Sequence, residues 1–437
     1  MSFLAIRKVS PFDARMVAPP SKYHTHRAFI LASLVDGESR ITRISESLGN
    51  MATLRCLSLL GTRFERSQEG YTVWGSPYQT PEDVLDVGNS GSTIYFLLAL
   101  ASTAPEAVVF TGDASVRSRP QKPYLETLNR WGIEAWSTRG DGRLPIVVKH
   151  QDPKRLGPYV EVDGLLSQWR TGLMLLAPLT GHDVKVTITG TVQEPSYAAM
   201  TVAMMKQFGI EVIASPDHRS YLIPGNQYYG PATIQIPGDI SLVSFGLALA
   251  ALTGSHLVWS NIDLTTVHPE SAIIPALQRM GADLRINPDA RSVEITGGRR
   301  LKGIEVDCGD ASDMVPILSV LFALAEGKSR IKNAYQVHFK ESDRLAAMLQ
   351  LNKMGAKVKE TADGLEFEGV EKLRGATIDS FHDHRVQMSF AVAGSVAEGT
   401  TFVSDPEAAS MSYPSFLSDI REIGVPLKVI DQPTKSF

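Results

Sequence analysis

Four short segments of this sequence place basic side chains where apolar helical patterns are about to begin. They are Ser21–Arg27, Arg117–Pro120, Lys340–Arg344 and Asp383–Arg385. Free N–H groups and a partial positive charge at a helix N-terminus favour acidic residues there and disfavour lysine and arginine. One such segment alone would also fit cations that extend to solvent at the protein surface. Their recurrence on equivalent parts of the chain predicts a site that binds anions.

Other site chemistries have less support in the sequence. His382 and His384 flank an aspartate, as in a metal-binding pair, but no third ligand follows with a recognisable spacing. Neither a Walker-type phosphate loop nor a dinucleotide-binding glycine fingerprint is present. The two cysteines, Cys56 and Cys308, are too few for a disulfide framework or a structural zinc site, and both are predicted to be buried. We therefore expect no metal and no cofactor.

The composition is that of an ordinary globular protein. The chain has 437 residues, 43% of them hydrophobic and 21% charged, with a formal net charge of −4. No overall positive field attracts nucleic acid, and the longest apolar runs are about half the length of a membrane-spanning helix. The first residues lack the apolar stretch of a signal peptide. With the small number of cysteines, these features predict a cytoplasmic protein without nucleic-acid or membrane partners. We expect a monomer, although none of these features determines the oligomeric state.

A repeat organises the whole chain. Six helical patterns end at a glycine, and these glycines lie roughly 70 residues apart. They are Gly61, Gly132, Gly209, Gly281, Gly355 and Gly424. The residue after a helix often needs a positive φ, which glycine adopts at little cost. Each glycine therefore predicts the end of a helix, and a strand is predicted soon after it, for example over 282–286.

Each repeat also contains a second, largely apolar helix. These helices are predicted within 21–37, 88–102, 165–181, 238–254, 309–327 and 381–399. They begin in polar loops and are apolar on nearly all sides, so we expect them to be buried. The pattern predicts an α/β fold of six units, arranged as one ring or as two lobes of three. Glycine and proline are concentrated in 224–239, which with 18–21 forms a candidate hinge, and a rigid assembly is the alternative.

The sequence resembles the 5-enolpyruvylshikimate-3-phosphate synthase family along essentially its whole length. The resemblance depends on S-K-x-x-x-x-R at 21–27, G-N-S-G at 88–91, R-P at 119–120, S-Q at 167–168, Asp313, K-E-S-D-R-L at 340–345, D-H-R at 383–385 and Y-P at 413–414. It implies two lobes, each of three βαβαββ units in an inside-out α/β barrel, joined by a double-crossover hinge. Residues 1–19 with 236–437 would form one lobe and residues 20–235 the other, with the active site in the cleft between them.

The same resemblance implies an activity. Members of this family transfer the enolpyruvyl group of phosphoenolpyruvate to a hydroxyl of shikimate 3-phosphate and release phosphate, in the shikimate pathway of aromatic amino-acid biosynthesis. Glu341 would protonate C3 of phosphoenolpyruvate and later remove that proton, while Asp313 would orient or deprotonate the acceptor hydroxyl. The implied catalytic residues are Lys22, Asp313, Lys340 and Glu341; the implied phosphoenolpyruvate-binding residues are Lys22, Asn89, Gly91, Arg119, Arg344 and Arg385; and the implied acceptor-binding residues are Tyr23, Arg27, Ser167, Gln168, Glu194, Tyr197, Asp313, Gln336 and Lys340.

Several positions differ from the family pattern. The departures are Tyr23, Leu166 and Glu194 in place of serines, Gly49 in place of an acid, Gln336 in place of an asparagine, and Tyr95 and Met411 in place of cations. A carboxylate that faces the acceptor phosphate would repel it, and each lost charge-assisted hydrogen bond weakens binding by roughly 1.5–3 kcal/mol. One alternative is therefore a divergent family member that acts on a different cyclic alcohol.

Two further alternatives have weaker support. A related enolpyruvyl transferase family that acts on UDP-N-acetylglucosamine typically carries a reactive cysteine before the R-P motif, and residues 113–117 contain none. A non-catalytic anion-binding protein could have kept the same scaffold. The presence of both Asp313 and Glu341 argues against that interpretation.

Overall fold

The computed structural model describes residues 2–433 and divides the chain into two compact units. The central unit comprises Pro20–Pro237. The terminal unit comprises the residues before Pro20 together with those from Gly238 onward. The chain therefore passes between the units twice, and both passages lie in the proline- and glycine-rich segments noted in the sequence.

Backbone hydrogen bonds show where the second passage occurs. The N–H of Ile236 donates to the carbonyl of Thr42 at 3.0 Å, within the central unit. The N–H of Asp239 donates to the carbonyl of Pro19 at 2.8 Å, within the terminal unit. The boundary thus falls two residues after the one expected at 235/236.

Thirteen α-helices lie within residues 2–433. They are α1 (Lys22–Ser33), α2 (Leu48–Leu59), α3 (Gly91–Leu100), α4 (Ala114–Ser118), α5 (Lys122–Trp131), α6 (Ser167–Leu176), α7 (Pro195–Gln207), α8 (Ile240–Thr253), α9 (Ile273–Arg279), α10 (Val315–Leu324), α11 (Arg344–Met348), α12 (His384–Val396) and α13 (Phe416–Glu422). None of these helices has both the length and the apolar character needed to cross a membrane.

The same residues form 24 strands. They are β1 (Phe3–Arg7), β2 (Asp13–Val17), β3 (Gly37–Thr42), β4 (Arg63–Arg66), β5 (Gly70–Gly75), β6 (Leu85–Asp86), β7 (Val108–Thr111), β8 (Ala135–Ser137), β9 (Ile146–Val148), β10 (Tyr159–Asp163), β11 (Val184–Thr189), β12 (Ile213–Ala214), β13 (Ser220–Ile223), β14 (Thr233–Gln235), β15 (His256–Ser260), β16 (Asp283–Asn287), β17 (Ser292–Thr296), β18 (Glu305–Asp307), β19 (Lys328–Lys332), β20 (Lys357–Thr361), β21 (Gly364–Glu368), β22 (Thr377–Ile378), β23 (Thr400–Ser404) and β24 (Leu427–Ile430).

The strands assemble into six four-stranded sheets, three in each unit. The central unit holds β14-β3-β5-β4, β6-β7-β9-β8 and β10-β11-β13-β12, and the terminal unit holds β2-β15-β17-β16, β18-β19-β21-β20 and β22-β23-β1-β24. In every sheet the first pair is parallel and the other two pairs are antiparallel. A parallel pair needs a crossover helix, and in the second repeat α3 supplies it between β6 and β7. The predicted α/β fold of six βαβαββ repeats, three in the central unit and three in the terminal unit, is confirmed.

The repeat glycines end their helices as predicted. All six have positive φ, from +83° at Gly209 to +111° at Gly132. A side chain at such a φ would be strained, so the spacing of these glycines was a local signal of helix ends that needed no knowledge of the tertiary fold.

The second helix of each repeat is buried, also as predicted. In the central unit these helices are α1, α3 and α6, and in the terminal unit they are α8, α10 and α12. Ser21, Ser90, Asp239 and Asp383 cap four of them through their side chains. The polar loops of the sequence are therefore capping segments, and they hold the start of each apolar helix in place.

Candidate functional site

Lys22 occupies the first helical position of α1 in the central unit. Ser21 caps this helix, because its Oγ accepts the N–H of His24 at 3.4 Å. The carbonyl of Lys22 accepts a hydrogen bond from Asn50 Nδ2 at 3.0 Å, which ties the start of α1 to α2. Lys22 is only 8% exposed. A largely buried cation therefore lies at a helix start that does not itself stabilise positive charge.

Arg119 contacts the start of α3 from a separate element. Its Nη2 donates to Asn89 Oδ1 at 2.5 Å and to Ser115 Oγ at 3.1 Å, and its Nη1 would lie 2.8 Å from a Cβ placed on Gly91. Arg119 is 5% exposed, and within residues 2–433 it has no carboxylate partner and no acceptor for its Nε–H. A buried guanidinium of this kind, beside a helix N-terminus, is suited to an anionic oxygen.

Contrary to the expectation from the sequence, the helix dipole of its own segment does not disfavour Arg119. Arg119 directly follows α4, which ends at Ser118, and a basic residue is favoured at a helix C-terminus. The helix start that its guanidinium faces belongs to α3. The contact of Arg119 with the start of α3 is therefore produced by tertiary packing and not by its place in the sequence.

Arg27 is held by internal partners. Its Nε donates to Thr201 Oγ1 at 2.7 Å, and its Nη1 and Nη2 donate to the carbonyls of Tyr23 at 3.0 Å and Tyr197 at 3.1 Å. Burial lowers the pKa of this guanidinium to about 10, so the side chain still carries its charge at neutral pH. Arg27 thus joins α1 to α7 and places two tyrosines side by side, with ring centroids of Tyr23 and Tyr197 5.3 Å apart.

Glu194 is fully buried at the start of α7 and has a structural partner. Its Oε2 accepts hydrogen bonds from the N–H of Ser167 at 3.4 Å and from Ser167 Oγ at 2.8 Å. The carbonyl of Glu194 accepts from Arg170 Nη2 at 2.8 Å. Glu194 therefore caps α6 and connects it to α7. Next to this contact, the buried Oε1 of Gln168 has no donor among the described residues.

Tyr95, which stands where the family pattern has a cation, packs in the core of the central unit. It is 3% exposed, and its ring meets the ring of Trp169 edge-on with centroids 6.4 Å apart. Trp169 in turn stacks on Tyr124 with centroids 6.0 Å apart. In the terminal unit, Met411 is likewise buried. At both positions that depart from the family pattern, the side chain is buried within its own unit.

In the terminal unit, Arg344 forms ion pairs with three carboxylates. Its Nη1 contacts Asp313 Oδ1 at 2.5 Å, its Nη2 contacts Glu341 Oε2 at 2.7 Å, and its Nε contacts Asp383 Oδ2 at 2.8 Å. Arg344 is 1% exposed. Because Asp313 and Glu341 lie on neighbouring nitrogens of one planar guanidinium, their carboxyl groups are held side by side. This places the two acidic residues of the sequence prediction in one location.

Asp313 is fixed through both of its oxygens. Oδ1 contacts Arg344, and Oδ2 lies 3.2 Å from Arg385 Nε. Arg385 Nη2 also donates to Ser241 Oγ at 3.0 Å, which connects α12 to α8. Asp383 caps α12 by accepting the N–H of Arg385 at 2.8 Å. Arg344 and Arg385, both predicted binding residues, thus also hold the predicted catalytic residue Asp313.

The remaining predicted residues of the terminal unit lie nearby in sequence but differ in exposure. Lys340 is partly exposed and follows a short 3-10 helix, Tyr335–Phe339. Gln336, within that helix, is fully buried, and its Nε2 donates to the carbonyls of Cys308 at 3.0 Å and Gly309 at 3.4 Å. Its Oε1 has no donor among residues 2–433.

Asp383 was not predicted as a site residue, although the sequence marked it as a helix start. Burial alone would raise the pKa of its carboxyl, but the charge of Arg344 outweighs burial and lowers that pKa. The capping pattern was a signal for its position at α12. Its second role, holding Arg344, depends on packing between α11 and α12 and could not be predicted from the local sequence.

A second buried charge cluster, also absent from the sequence prediction, lies at the start of α8. His268 Nε2 lies 3.2 Å from Asp239 Oδ1, and His268 Nδ1 lies 3.1 Å from Glu270 Oε2. Burial disfavours the charged imidazolium, but these two carboxylates outweigh burial and raise the pKa of His268 to about 9. His268 is therefore charged in the folded protein at neutral pH.

This cluster predicts a loss of stability on the alkaline side. The pKa of His268 is higher in the folded protein than its ordinary value of 6.5, so its stabilising charge is fully present below pH 6.5 and is lost as the pH rises through about 9. Urea unfolding of the wild type is expected to show this decline, and His268→Gln is expected to reduce it. His256→Gln is the matched control, because His256 lies between two carboxylates at the surface and contributes about 1 kcal/mol at most. A decline that His268→Gln leaves unchanged would exclude His268 as its source.

The two cysteines are buried and free, as the sequence predicted for both. Burial raises the pKa of the Cys56 thiol to about 12 and raises that of Cys308 further, so neither forms a reactive thiolate at neutral pH. Of the two candidate metal-binding histidines, His382 pairs with Asp405 at 3.3 Å and His384 is buried.

Comparison with known proteins identifies the family. The sequence model described as EPSP synthase (3-phosphoshikimate 1-carboxyvinyltransferase) matches residues 6–420 of this chain. The chain belongs to this family.

Similar proteins extend over nearly the whole chain. A 3-phosphoshikimate 1-carboxyvinyltransferase from Methanococcus maripaludis is 37% identical over 432 residues, covering 98% of this chain and 100% of that protein. One from Methanosarcina mazei is 39% identical over 429 residues, covering 97% and 98%. The solved structure of EPSP synthase from Acinetobacter baumannii has a TM-score of 0.81 and 26% identity, covering 99% of this chain and 100% of that one.

These relatives do not favour the alternative of a divergent acceptor. They match 97–98% of this chain and carry the same activity name. The structure also removes part of the reason for that alternative, because the Glu194 carboxylate already accepts two hydrogen bonds from Ser167.

Proposed function

We propose that this protein transfers the enolpyruvyl group of phosphoenolpyruvate to a hydroxyl of shikimate 3-phosphate and releases inorganic phosphate. Family membership over residues 6–420 supports the reaction type. The observation that carries the assignment of residues is the contact of Asp313 and Glu341 with neighbouring nitrogens of Arg344. The reaction needs a base for the acceptor hydroxyl and an acid for a carbon atom, and this arrangement provides two adjacent carboxyl groups.

The proposed reaction has two steps. The acceptor oxygen forms a bond to C2 of phosphoenolpyruvate while its proton is released and a proton is added at C3, which gives a tetrahedral intermediate with a methyl group. The bond from C2 to the phosphate oxygen then breaks, and a proton leaves C3. The products are the enol ether of the acceptor and inorganic phosphate. Asp313, assisted by Lys340, orients or deprotonates the hydroxyl, and Glu341 donates and later removes the C3 proton.

The cations serve the anionic groups of the substrates. Lys22, Arg119 and the start of α3 at Asn89 and Gly91 bind phosphoenolpyruvate, together with Arg344 and Arg385. Support comes from the buried guanidinium of Arg119, which has no carboxylate partner within residues 2–433. Charge-assisted hydrogen bonds from Lys and Arg to phosphate are among the strong ones in proteins.

The acceptor-binding set combines contacting and supporting residues. Ser167, Gln168, Tyr23, Tyr197 and Gln336 bind the acceptor in this proposal, and Arg27 and Glu194 hold them in place. The buried, unpaired Oε1 atoms of Gln168 and Gln336 support roles in binding, because buried acceptors without a donor are rare. The cytoplasmic location, the monomeric state and the absence of a cofactor stay predictions.

Phosphate release tests the proposed function. Purified protein with phosphoenolpyruvate and shikimate 3-phosphate is expected to release one phosphate for each enolpyruvyl group transferred. Phosphoenolpyruvate alone is the control and is expected to release none. Absence of turnover with both substrates at millimolar concentration would contradict the proposal.

Arg119→Gln is expected to raise KM for phosphoenolpyruvate by about 10- to 100-fold, because a charge-assisted hydrogen bond contributes roughly 1.5–3 kcal/mol. The exposed Arg130→Gln carries the same change of charge on α5 and is expected to leave KM unchanged. Steady-state kinetics with saturating acceptor measure both. Equal KM values for Arg119→Gln and the wild type would remove Arg119 from the binding set.

A further inference from the structure

A buried chain of polar side chains links three helices of the central unit. His26 Nδ1 on α1 lies 2.7 Å from Thr53 Oγ1 on α2. Thr53 Oγ1 lies 2.6 Å from Thr93 Oγ1 on α3, and Thr93 Oγ1 donates to Ser90 Oγ at 2.6 Å. His26, Thr53 and Thr93 are fully buried, and Ser90 is 2% exposed. This network of side chains ends at Ser90. The residues on either side of Ser90, Asn89 and Gly91, lie against Arg119.

The hydrogen bonds of this side-chain network can run in only one donor-to-acceptor direction. Each hydroxyl has a single proton, and Thr93 uses its own toward Ser90, so the bond between Thr53 and Thr93 must use the proton of Thr53. Thr53 then has none left, and His26 must donate from Nδ1. The imidazole is therefore the Nδ1–H tautomer, and its buried Nε2, which has no partner among the described residues, is a lone pair and not an unsatisfied donor.

In this direction of donation, the Ser90 hydroxyl keeps its proton available for donation to a further group. Its Oγ accepts both the hydroxyl of Thr93 and the N–H of Thr93, the latter at 3.2 Å, so both of its lone pairs are occupied. Within residues 2–433, Ser90 Oγ donates no hydrogen bond of its own. Burial, followed by the charges of Lys22 and Arg27, lowers the pKa of His26 well below its ordinary value, which keeps the imidazole neutral and the order of the chain intact.

We propose that Ser90 donates a hydrogen bond to an anionic oxygen of phosphoenolpyruvate, and that His26, Thr53 and Thr93 are positioning residues that orient the Ser90 proton toward it. The inference rests on the proposed function for the identity of the anion. The hydrogen bond from Thr53 fixes the Thr93 hydroxyl with its own proton on Ser90. Without Thr53, the Thr93 proton is free to rotate away from Ser90; the Thr93 oxygen then accepts the Ser90 proton, and the donor turns away from the substrate. Binding of phosphoenolpyruvate thus depends on residues two and three hydrogen bonds away.

The tautomer of His26 tests the direction of the chain without any activity measurement. Nitrogen NMR of the protein labelled with 15N-histidine distinguishes the two neutral forms, and the His26 signals are identified by their loss in His26→Asn. We expect a neutral Nδ1–H imidazole from pH 6 to 8. An Nε2–H tautomer, or a charged ring in this range, would overturn the proposal.

Kinetics test the consequence at the substrate. Ser90→Ala, Thr93→Val and Thr53→Val are each expected to raise KM for phosphoenolpyruvate about tenfold, with kcat within about twofold of the wild type, since one hydrogen bond to a charged group is lost. Thr53→Ser, which keeps the hydroxyl, is expected to restore KM. In the Ser90→Ala background, Thr53→Val is expected to have no further effect, because the positioned group is already absent.

Thr180→Val is the matched control, because Thr180 is a buried threonine of the same unit whose Oγ1 donates locally to Ala177. A rise in KM for Thr180→Val equal to that for Thr53→Val, or additive effects of Ser90→Ala and Thr53→Val, would show a general packing effect and overturn the proposal. Failure of the proposed function is separate: it appears as absent turnover in the wild type, whatever the tautomer of His26.

Discussion

Glu341→Gln is expected to lower kcat by about 10²- to 10⁴-fold while KM for both substrates changes little. Glutamine has nearly the same shape and can still accept a hydrogen bond from Arg344, but it cannot deliver a proton to C3 and take it back. General acid–base catalysis by one positioned side chain typically contributes a factor of this size. Steady-state kinetics of phosphate release measure kcat, and thermal unfolding verifies that the variant is folded.

The control for this prediction is Glu366→Gln, on the exposed face of β21, which is expected to have wild-type kcat. A Glu341→Gln enzyme with kcat within a few-fold of the wild type would remove Glu341 from the proton transfer. A loss confined to KM would assign it to binding only.

Arg344→Met is expected to destabilise the terminal unit by about 3–5 kcal/mol, because removal of one partner from a buried ion network leaves uncompensated charge. Arg344 is 1% exposed, and Asp383 is fully buried against it. For a unit of this size, the loss corresponds to a decrease in Tm of about 6–20 °C. Activity is expected to be absent as well, since Asp313 and Glu341 lose the group that holds them together.

Two further variants keep this prediction testable if Arg344→Met folds poorly. Arg344→Lys keeps the charge without the planar fork, so a smaller loss of stability and a full loss of activity are expected. Asp383→Asn combined with Arg344→Met is expected to recover part of the lost stability. Arg330→Met breaks a partly exposed pair with Asp363 at 3.3 Å and is expected to cost about 1 kcal/mol. Arg344→Met as stable as Arg330→Met would contradict the account of the network.

The repeat could be predicted from the sequence because its signals are local. A glycine such as Gly209 is required by the φ of a single residue, and a helix such as α8 is apolar over its whole surface. Neither requires knowledge of what packs against it. The predicted helix segments were longer than the helices, because they included the capping residues before each helix and the turn after it.

The details of the candidate site depend on contacts between distant residues. Arg119 faces α3, although the sequence places it between α4 and α5. Glu194 stood out in the sequence as a misplaced charge near an acceptor phosphate, and the structure shows it bound to Ser167. The chain from His26 to Ser90 forms only when α1, α2 and α3 pack together. Residue types and motifs allowed candidate site residues to be predicted, but the contacts that hold those side chains in place could not be predicted from the local sequence.

Deuterium incorporation at C3 follows the proton that Glu341 is proposed to transfer, and it therefore tests the proposed reaction at its proton-transfer step. The reaction is run in D₂O with phosphoenolpyruvate and shikimate 3-phosphate, and proton NMR of the product reports hydrogen and deuterium at the vinyl carbon. We expect deuterium at this carbon, equal amounts of product and phosphate, and much slower incorporation by Glu341→Gln. A product that contains only hydrogen at C3, or release of phosphate with pyruvate in place of an enol ether, would contradict the proposed reaction.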